Sequence, residues 1–186
     1  MINKNLRDIL QTGQFYVVEA RDKFGINVKA IKHEVATDTC FEKADLLGWD
    51  FERIVKAVFF HKKDISYGLI FPELGERDFP SHITKEIISE VFNITKTQAK
   101  KFKNSYCPNG MEYGTCTPFI LEDSFEKGLE RIFIYDYPEL NNKLVDISIG
   151  GEGEEAHKIS LHLKYEDIYK ILKYQFGDRI EKFNNI

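Results

Sequence analysis

The run "IVKAVFF" at residues 54–60 restricts the fold of this chain more than any other feature. Six of its seven residues are apolar, and most of them are β-branched or aromatic, which predicts a strand within a sheet. Lys56 is the single charge in the run. Because an unpaired buried ammonium is costly, we expect Lys56 either to face solvent or an acidic partner, or to line a cleft. In a cleft it would bind a phosphate or carboxylate, or polarise a reacting group.

Other runs rich in β-forming residues predict the remaining strands. The segments "QFYVVEA" (14–20) and "INVKAIKH" (26–33) predict two strands joined by a hairpin turn at "RDKFG". Further strands are expected from the runs "YGLIFPE", "ERIFIYD", "KLVDISIGG" and "HKISLHL".

Capping signals predict where the helices begin and end. In "TCFEKADLLG", Thr39 and Glu42 fit a capping box and Gly48 fits the residue that follows a helix. Further helices are predicted at residues 4–11, in "ITKEIISEVF", in "TKTQAKKFKNSY" with a capping box from Thr95 and Gln98, and from about Glu166 to Tyr174. Strands and helices alternate without regular βαβ units, which predicts an α+β single domain with a mixed β-sheet flanked by helices.

Composition narrows the class of protein. The 186 residues are enough for one domain with a real core, and 42% hydrophobic with 30% charged residues is typical of a soluble globular protein. The net charge of -4 gives no global basic field, which weakens a nucleic-acid hypothesis, although local lysine clusters can still bind RNA. The three cysteines lack the spacing of a disulfide framework, and the sequence shows no signal peptide and no apolar stretch that could span a bilayer. We therefore expect a cytoplasmic protein that contacts neither membrane nor DNA.

The stretch "CPNGMEYGTCTPFI" at residues 107–120 concentrates glycine and proline between predicted regular elements. Gly114 and Pro118 form a G-x-x-x-P unit, in which glycine lets the backbone approach a ligand and proline fixes the exit. The amides from Thr115 to Thr117 would then face a carbonyl oxygen or an oxyanion. The alternative is an ordinary surface turn, since glycine and proline are common in loops.

Histidines and cysteines give a weaker signal. In a strand over "AHKISLHL", His157 and His162 would point to opposite faces and would not serve as paired ligands. No C-x-x-C or H-x-x-x-H spacing occurs, so no metal site is predicted. A nucleophilic pair of Cys116 and His157 stays open as an alternative, because the sequence does not place the two side chains together.

Four stretches in order resemble the YbaK / prolyl-tRNA synthetase-associated domain family, over roughly residues 33 to 172. They are "HEVATDTCFEKADLLG", "RIVKAVFF" with Lys56, "GTCTPF", and "VDISIGGEG" with Ser148 and Gly150. The family comprises free-standing aminoacyl-tRNA deacylases and the editing insertion of bacterial prolyl-tRNA synthetases. The chain departs from the family pattern at Ala57, where threonine is common, and in the long segment "ELGERDFPSHITKE".

The resemblance implies a partly barrel-like sheet, an editing domain over residues 33–186, and an extension over residues 1–32 made of a helix and a β-hairpin packed on the core. It implies hydrolysis of the ester of mischarged tRNA, acting in trans on the tRNA 3′ end, with an aminoacyl-tRNA synthetase as a further partner. It implies no cofactor and no metal. The alternative from a different class is a non-catalytic module that binds tRNA ends, nucleotides or a synthetase with the same pocket.

The resemblance also assigns roles to residues. Lys56 would contact the terminal adenosine, its phosphate or the ester, and Gly114 would open the loop whose amides steady the oxyanion. Substrate would be bound by residues of this loop and of the other motifs, namely His33, Thr115, Cys116, Thr117, Pro118, Phe119, Ser148, Gly150 and His157. Lys96, Lys100 and Lys103 lie at helical spacing and would form either a small basic face toward an acceptor stem or a solvated helix surface.

Overall fold

The computed structural model describes residues 1–37, 39–73, 85–105, 116–151 and 153–184. Within these residues, nine strands form one sheet. The strands are β1 (Ile2–Lys4), β2 (Lys29–Lys32), β3 (Ile54–Lys62), β4 (Ile65–Pro72), β5 (Lys103–Ser105), β6 (Leu129–Tyr135), β7 (Leu144–Ser148), β8 (Ile159–Lys164) and β9 (Ile180–Phe183).

The sheet is mixed, as the sequence predicts. Its strand order is β1-β2-β8-β7-β3-β4-β6-β9, and β5 pairs with β3 beside this path. Neighbours are antiparallel from β1 to β7 and between β3 and β4, whereas β7–β3, β4–β6 and β6–β9 are parallel. The sheet does not close into a barrel, because β1 and β9 stand at its two ends.

Helices cover both faces of this sheet. They are α1 (Leu6–Ile9), α2 (Tyr16–Phe24), α3 (Cys40–Leu47), α4 (Lys85–Val91), α5 (Lys96–Ala99) and α6 (Tyr165–Phe176). On the first face, α2 and α6 share a hydrophobic core with Val55, Ala57 and Phe59 of β3. On the second face, α4 and α5 pack an aromatic-rich cluster around Phe60. No helix in the described part of the chain is long and apolar enough to cross a bilayer.

Alternation along the central strands decides which side chains share the second face. Val55, Ala57 and Phe59 lie in the core of the first face, so Lys56 between them projects to the second face. On β7, Val145 and Ile147 belong to that same core, which places Asp146 and Ser148 on the second face as well. On β8, Leu161 and Leu163 also lie in the core of the first face, so Ser160 and His162 project to the second face.

The predicted hairpin at residues 14–33 is wrong in its first half. "QFYVVEA" is not a strand, because Tyr16–Phe24 form α2, and "RDKFG" is the end of this helix with Gly25 at φ 64. Only Lys29–Lys32 form a strand, β2. The physical reason is burial: Tyr16, Val17, Val18 and Ala20 are all at most 1% exposed, and packing against α6 and the sheet outweighs β-propensity.

The helix predicted over "TKTQAKKFKNSY" is also shorter than expected. The capping box of Thr95 and Gln98 is confirmed, but α5 ends at Ala99. The chain then turns and enters β5, which pairs with β3 through Lys103 opposite His61. Lys96, Lys100 and Lys103 therefore do not share one helix face, and Lys96 instead forms an ion pair with Glu86.

Helix α3 matches its prediction closely. Thr39 Oγ1 accepts a hydrogen bond from the Glu42 amide at 3.2 Å, and Glu42 Oε2 accepts one from the Thr39 amide at 3.1 Å. Gly48, at φ 64, ends the helix. These caps define the two ends of the element that carries Cys40 and Lys43.

Residues 1–32 contribute directly to the main core. Leu6, Leu10, Tyr16, Val17 and Ala30 lie in the same hydrophobic cluster as the central strands. These side chains are part of the main core, and the segment holds a helix where a hairpin strand was predicted. Its boundary at residue 32 as a separate extension remains a prediction.

Candidate active site

Lys56 lies near the middle of the sheet and is paired with an acid. Its ammonium contacts the carboxylate of Glu73, and the two side chains are 22% and 5% exposed, respectively. Glu73 directly follows β4, and its amide donates a hydrogen bond to the carbonyl of Ile54 at 2.8 Å. Of the alternatives that the sequence left open for Lys56, an acidic partner is present, and this partner is more deeply buried than the lysine.

Lys56 lies at the point where two parallel strands part. The pairing of β3 with β7 consists of Ile54 opposite Asp146 and Val55 opposite Ile147. The next residues along the two strands, Lys56 and Ser148, project to the same face. Further along the same edge of β3, β5 takes over as the partner. Parallel strands that diverge at their carboxyl ends open a crevice in which ligands commonly bind.

The predicted oxyanion loop lies partly outside the described residues. Gly114 and Thr115 belong to the segment 106–115, on which the structure gives no placement. The described ends of this segment are Ser105, at the end of β5, and Cys116. After it, Thr117, Pro118 and Phe119 are buried, and Cys116 packs partly against the main core.

A glutamine from the N-terminal segment ties the end of the loop to the end of β7. The buried side-chain amide of Gln14 donates to the carbonyl oxygens of Phe119 at 2.5 Å and Ile149 at 3.2 Å. Thr117 Oγ1 accepts a hydrogen bond from the Phe119 amide at 3.1 Å, and Ser148 Oγ accepts one from the Gly150 amide at 3.2 Å. The structure therefore brings residues 117–119 and 148–150 together, two groups that the sequence analysis treated separately.

A buried polar cluster on the second face was largely missed by sequence reasoning. Ser160 Oγ donates to Asp146 Oδ2 at 2.5 Å and lies 2.7 Å from Nε2 of His33. Nε2 of His162 lies 2.9 Å from the same oxygen of Asp146. All four residues are at most 7% exposed. The sequence does contain a signal for this cluster, because β7 and β8 each have two polar residues at positions i and i+2 among apolar ones.

The charge of Lys43 in α3 acts on the pKa values of His33 and Asp146 in this cluster. Burial lowers the pKa of Lys43, and the charge of Asp146 acts in the opposite direction. Burial, followed by the charge of Lys43, lowers the pKa of His33 to about 4, so this histidine is neutral near pH 7. Burial raises the pKa of Asp146, but the hydrogen bond from His162 and the charge of Lys43 outweigh this, leaving the carboxyl below its ordinary value.

Cys40, the first residue of α3, connects the cluster with Lys56. The charge of Lys56 acts on the pKa of this thiol, and so do the charges of Asp146 and Lys43. Burial raises the pKa of Cys40 above its ordinary value, although Lys56 opposes this effect. The thiol is therefore not activated as a thiolate. Because both Lys56 and Asp146 act on its pKa, Lys56 and the polar cluster lie in one region next to the first residue of α3.

His157 is not in a strand, contrary to the expectation from "AHKISLHL". Ala156–Lys158 form a 3₁₀ turn and β8 begins at Ile159, so the expected alternation of His157 and His162 does not apply. His162 faces the polar cluster, whereas half-buried His157 follows the glycine turn that begins with Gly150. Strand β8 begins only after His157, because the chain first has to turn back from the glycine-rich tip.

Comparison with known proteins identifies the architecture. No protein-family model and no curated protein matches the chain. Among solved structures, a candidate trans-editing enzyme for prolyl-tRNA synthetase matches at a TM-score of 0.59 and 13% identity, over 95% of this chain and 99% of the other. The hypothetical protein APE2540 matches at a TM-score of 0.58 and 18% identity, over 90% and 97% of the two chains.

The chain shares their fold. A third match, a scaffold used for epitope backbone grafting, has a TM-score of 0.56 and 11% identity, over 94% of this chain and 97% of the other. The expected YbaK-like architecture is therefore confirmed at the level of fold. At sequence identities of 11 to 18%, these matches show a shared fold and nothing more. The activity therefore has to be argued from the residues of this chain.

Proposed function

We propose that this protein is an aminoacyl-tRNA deacylase that acts in trans on the ester of mischarged tRNA, of the prolyl-tRNA editing type. The observation that carries the proposal is the position of Lys56 at the parting of β3 and β7, on the same face as Ser148. The fold shared with a candidate trans-editing enzyme supports it. The tRNA 3′ end is the proposed partner, and a synthetase is a second one.

The proposed chemistry divides between a cation and backbone amides. Lys56 is 22% exposed, so its ammonium can contact a phosphate or the ester of a substrate while Glu73 holds its side chain in place. Gly114 and the amides of Thr115 to Thr117 are proposed to stabilise the negative charge that develops on the carbonyl oxygen during attack by water. Hydrogen bonds of this kind typically contribute ~10²–10³-fold in rate each.

The polar cluster is proposed to form the floor of the same site. His33 and Ser148 would contact the aminoacyl group, with Gly150 and His157 at the rim. Hydrolysis of an ester by water needs donors aimed at a carbonyl and a pocket that fits the side chain, rather than a protein nucleophile. The raised pKa of Cys40 agrees with this, since a protonated thiol is a poor nucleophile.

The test is the release of amino acid from a panel of mischarged tRNAs. We expect turnover by the wild type on at least one tRNA, and a loss of ~10²-fold or more in both Lys56→Ala and Gly114→Ala. Lys62→Ala, which removes an exposed lysine from the end of the same strand, is the matched control and should retain activity. Turnover that survives in Lys56→Ala, or that depends on Cys116 instead, would contradict the proposal.

One observation favours a second candidate, a non-catalytic module that binds tRNA ends or nucleotides. Lys56 is held by a carboxylate partner in the free protein, an arrangement that suits a fixed contact with a phosphate as well as it suits hydrolysis. A module that only binds would show tRNA affinity sensitive to Lys56→Ala without amino acid release from any member of the panel. The same assay therefore separates the two functions.

A further inference from the structure

We propose that His33, Asp146 and His162 form a binding site for one divalent transition-metal ion, with zinc as the best match. One ligand atom from each residue lies within 4.8 Å of the others, and all three residues are buried. They come from the chain just after β2, from β7 and from β8, which are adjacent in the sheet. These residues belong to the polar cluster that we propose as the floor of the deacylation site, but metal binding is a separate inference, because the proposed hydrolysis requires no metal.

The donor set and its spacing match zinc chemistry. Two imidazole nitrogens and one carboxylate oxygen are ligands that zinc takes at about 2.0–2.2 Å, which puts tetrahedral donors about 3.4 Å apart. Asp146 Oδ2 lies 2.9 Å from Nε2 of His162 and 3.8 Å from Nε2 of His33, on either side of that value. Small side-chain movements would therefore bring both of these distances to that value.

Other side chains surround the three donors. Ser160 Oγ hydrogen-bonds to Oδ2 of Asp146 and contacts Nε2 of His33, two of the proposed ligand atoms, so a bound ion would replace the contact between Ser160 and His33. The ring of Trp49 lies 4.7 Å from that of His162, with the Arg53 guanidinium 3.7 Å above the indole. Nδ1 of His33 is buried without a hydrogen-bond partner in the described part of the chain, so Nε2 carries the polar contact of this ring.

Lys43 opposes a bound cation. Its charge acts on both Asp146 and His33, and it is only 8% exposed. A metal at the site would replace part of the attraction between Lys43 and Asp146 and would be repelled by the ammonium. We therefore expect Lys43→Met to bind the metal more tightly than the wild type, an effect opposite in sign to that of the ligand variants.

The first test is titration of the full chain with Co²⁺, followed by visible absorption, and competition by Zn²⁺. The wild type should bind one equivalent of Co²⁺, and its visible absorption should be that of a Co²⁺ ion with a small number of nitrogen and oxygen ligands. His162→Gln and Asp146→Asn, which remove ligands, should weaken binding by more than the ~10–100-fold that changes outside the ligand shell typically cost. Ser160→Ala frees Nε2 of His33 from its contact with the serine and should not weaken binding. His61→Gln removes a histidine from β3, outside the cluster, and should bind as the wild type does.

The second test is thermal unfolding with Zn²⁺ or with a chelator. Since the ion would link β2, β7 and β8, Zn²⁺ should raise the unfolding temperature of the wild type and of His61→Gln, but not of His162→Gln. Lys43→Met keeps the test decisive if a ligand variant fails to fold, because it should bind more tightly. Absence of stoichiometric binding by the wild type, or binding unchanged in His162→Gln and Lys43→Met, would overturn the proposal. None of these measurements depends on tRNA hydrolysis.

Discussion

At the scale of single residues, Lys56 is held by a carboxylate that is more deeply buried than the lysine itself. Removing one partner of such a pair leaves the other charge in a poor environment. The cost should depend on which charge remains, because the Glu73 side chain is 5% exposed and the Lys56 side chain 22%. A carboxylate left alone has less access to water than an ammonium left alone.

We therefore expect Lys56→Met to destabilise the protein more than Glu73→Gln does. Losses of about 1–3 kcal/mol are typical when a buried hydrogen-bonded partner is removed. The combined variant should lose less than the sum of the two single variants, since it leaves no orphaned charge. Urea denaturation of the four proteins measures this cycle, and additive losses, or a larger loss for Glu73→Gln, would contradict the account.

The sequence predicted part of the residue-level picture. Lys56 could be singled out because it is the one charge in an apolar run. Its partner could not, because Glu73 reaches it only through the antiparallel register of β3 and β4. Asp146 and Ser160 were missed because alternate polar residues in a strand usually face solvent, and here both side chains are buried.

At the scale of secondary structure, α3 is the element that places Cys40 and Lys43 over the second face. Its capping box joins Thr39 and Glu42 through two hydrogen bonds. Thr39→Ala should lower the free energy of unfolding by about 1 kcal/mol, within the usual 0.5–2 kcal/mol for a lost N-cap.

Chemical denaturation measures the effect of the cap, with Thr39→Ser as the matched control. Serine keeps the hydroxyl that accepts from the Glu42 amide, so the control should remain close to the wild type. Equal losses in both variants would mean that the methyl group of Thr39, rather than the cap, supports α3.

Elements with explicit end signals were predicted correctly, and elements decided by packing were not. α3 was found from its caps, and β3 from its apolar run. α2 was taken for a strand because Tyr16, Val17 and Val18 favour β-structure locally, whereas in the fold they fill the core beside α6. Likewise, β5 was predicted as part of a helix because its pairing with β3 is a long-range contact.

At the scale of the whole molecule, Gln14 joins three parts of the chain that are far apart in sequence. Its side chain donates to carbonyls 105 and 135 residues away, at the end of the loop and at the end of β7. This contact explains how the N-terminal 32 residues bear on the candidate active site. They hold the described end of the loop beside Ser148 and Gly150.

Gln14→Leu should therefore lower both stability and the proposed activity. Two buried carbonyls would lose a donor, at about 1–3 kcal/mol for each unsatisfied group, and the described end of the loop would be free to shift away from Ile149 and its neighbours. Unfolding and deacylation assays should fall together, whereas Glu19→Ala, an exposed change on α2, should leave both unchanged. Full activity in a destabilised Gln14→Leu protein would show that the loop is positioned by other contacts.

The most direct test of the proposed active site is where a non-hydrolysable aminoacyl-adenosine binds. Titration of the isotope-labelled protein, followed by nuclear magnetic resonance, should shift the signals of Lys56, Ser148 and the amides of residues 114–117 and Phe119 together. Signals of α6, on the opposite face of the sheet, should stay in place. An analogue that shifts the loop signals without Lys56, or that shifts neither, would show that the cation and the amides do not serve one substrate.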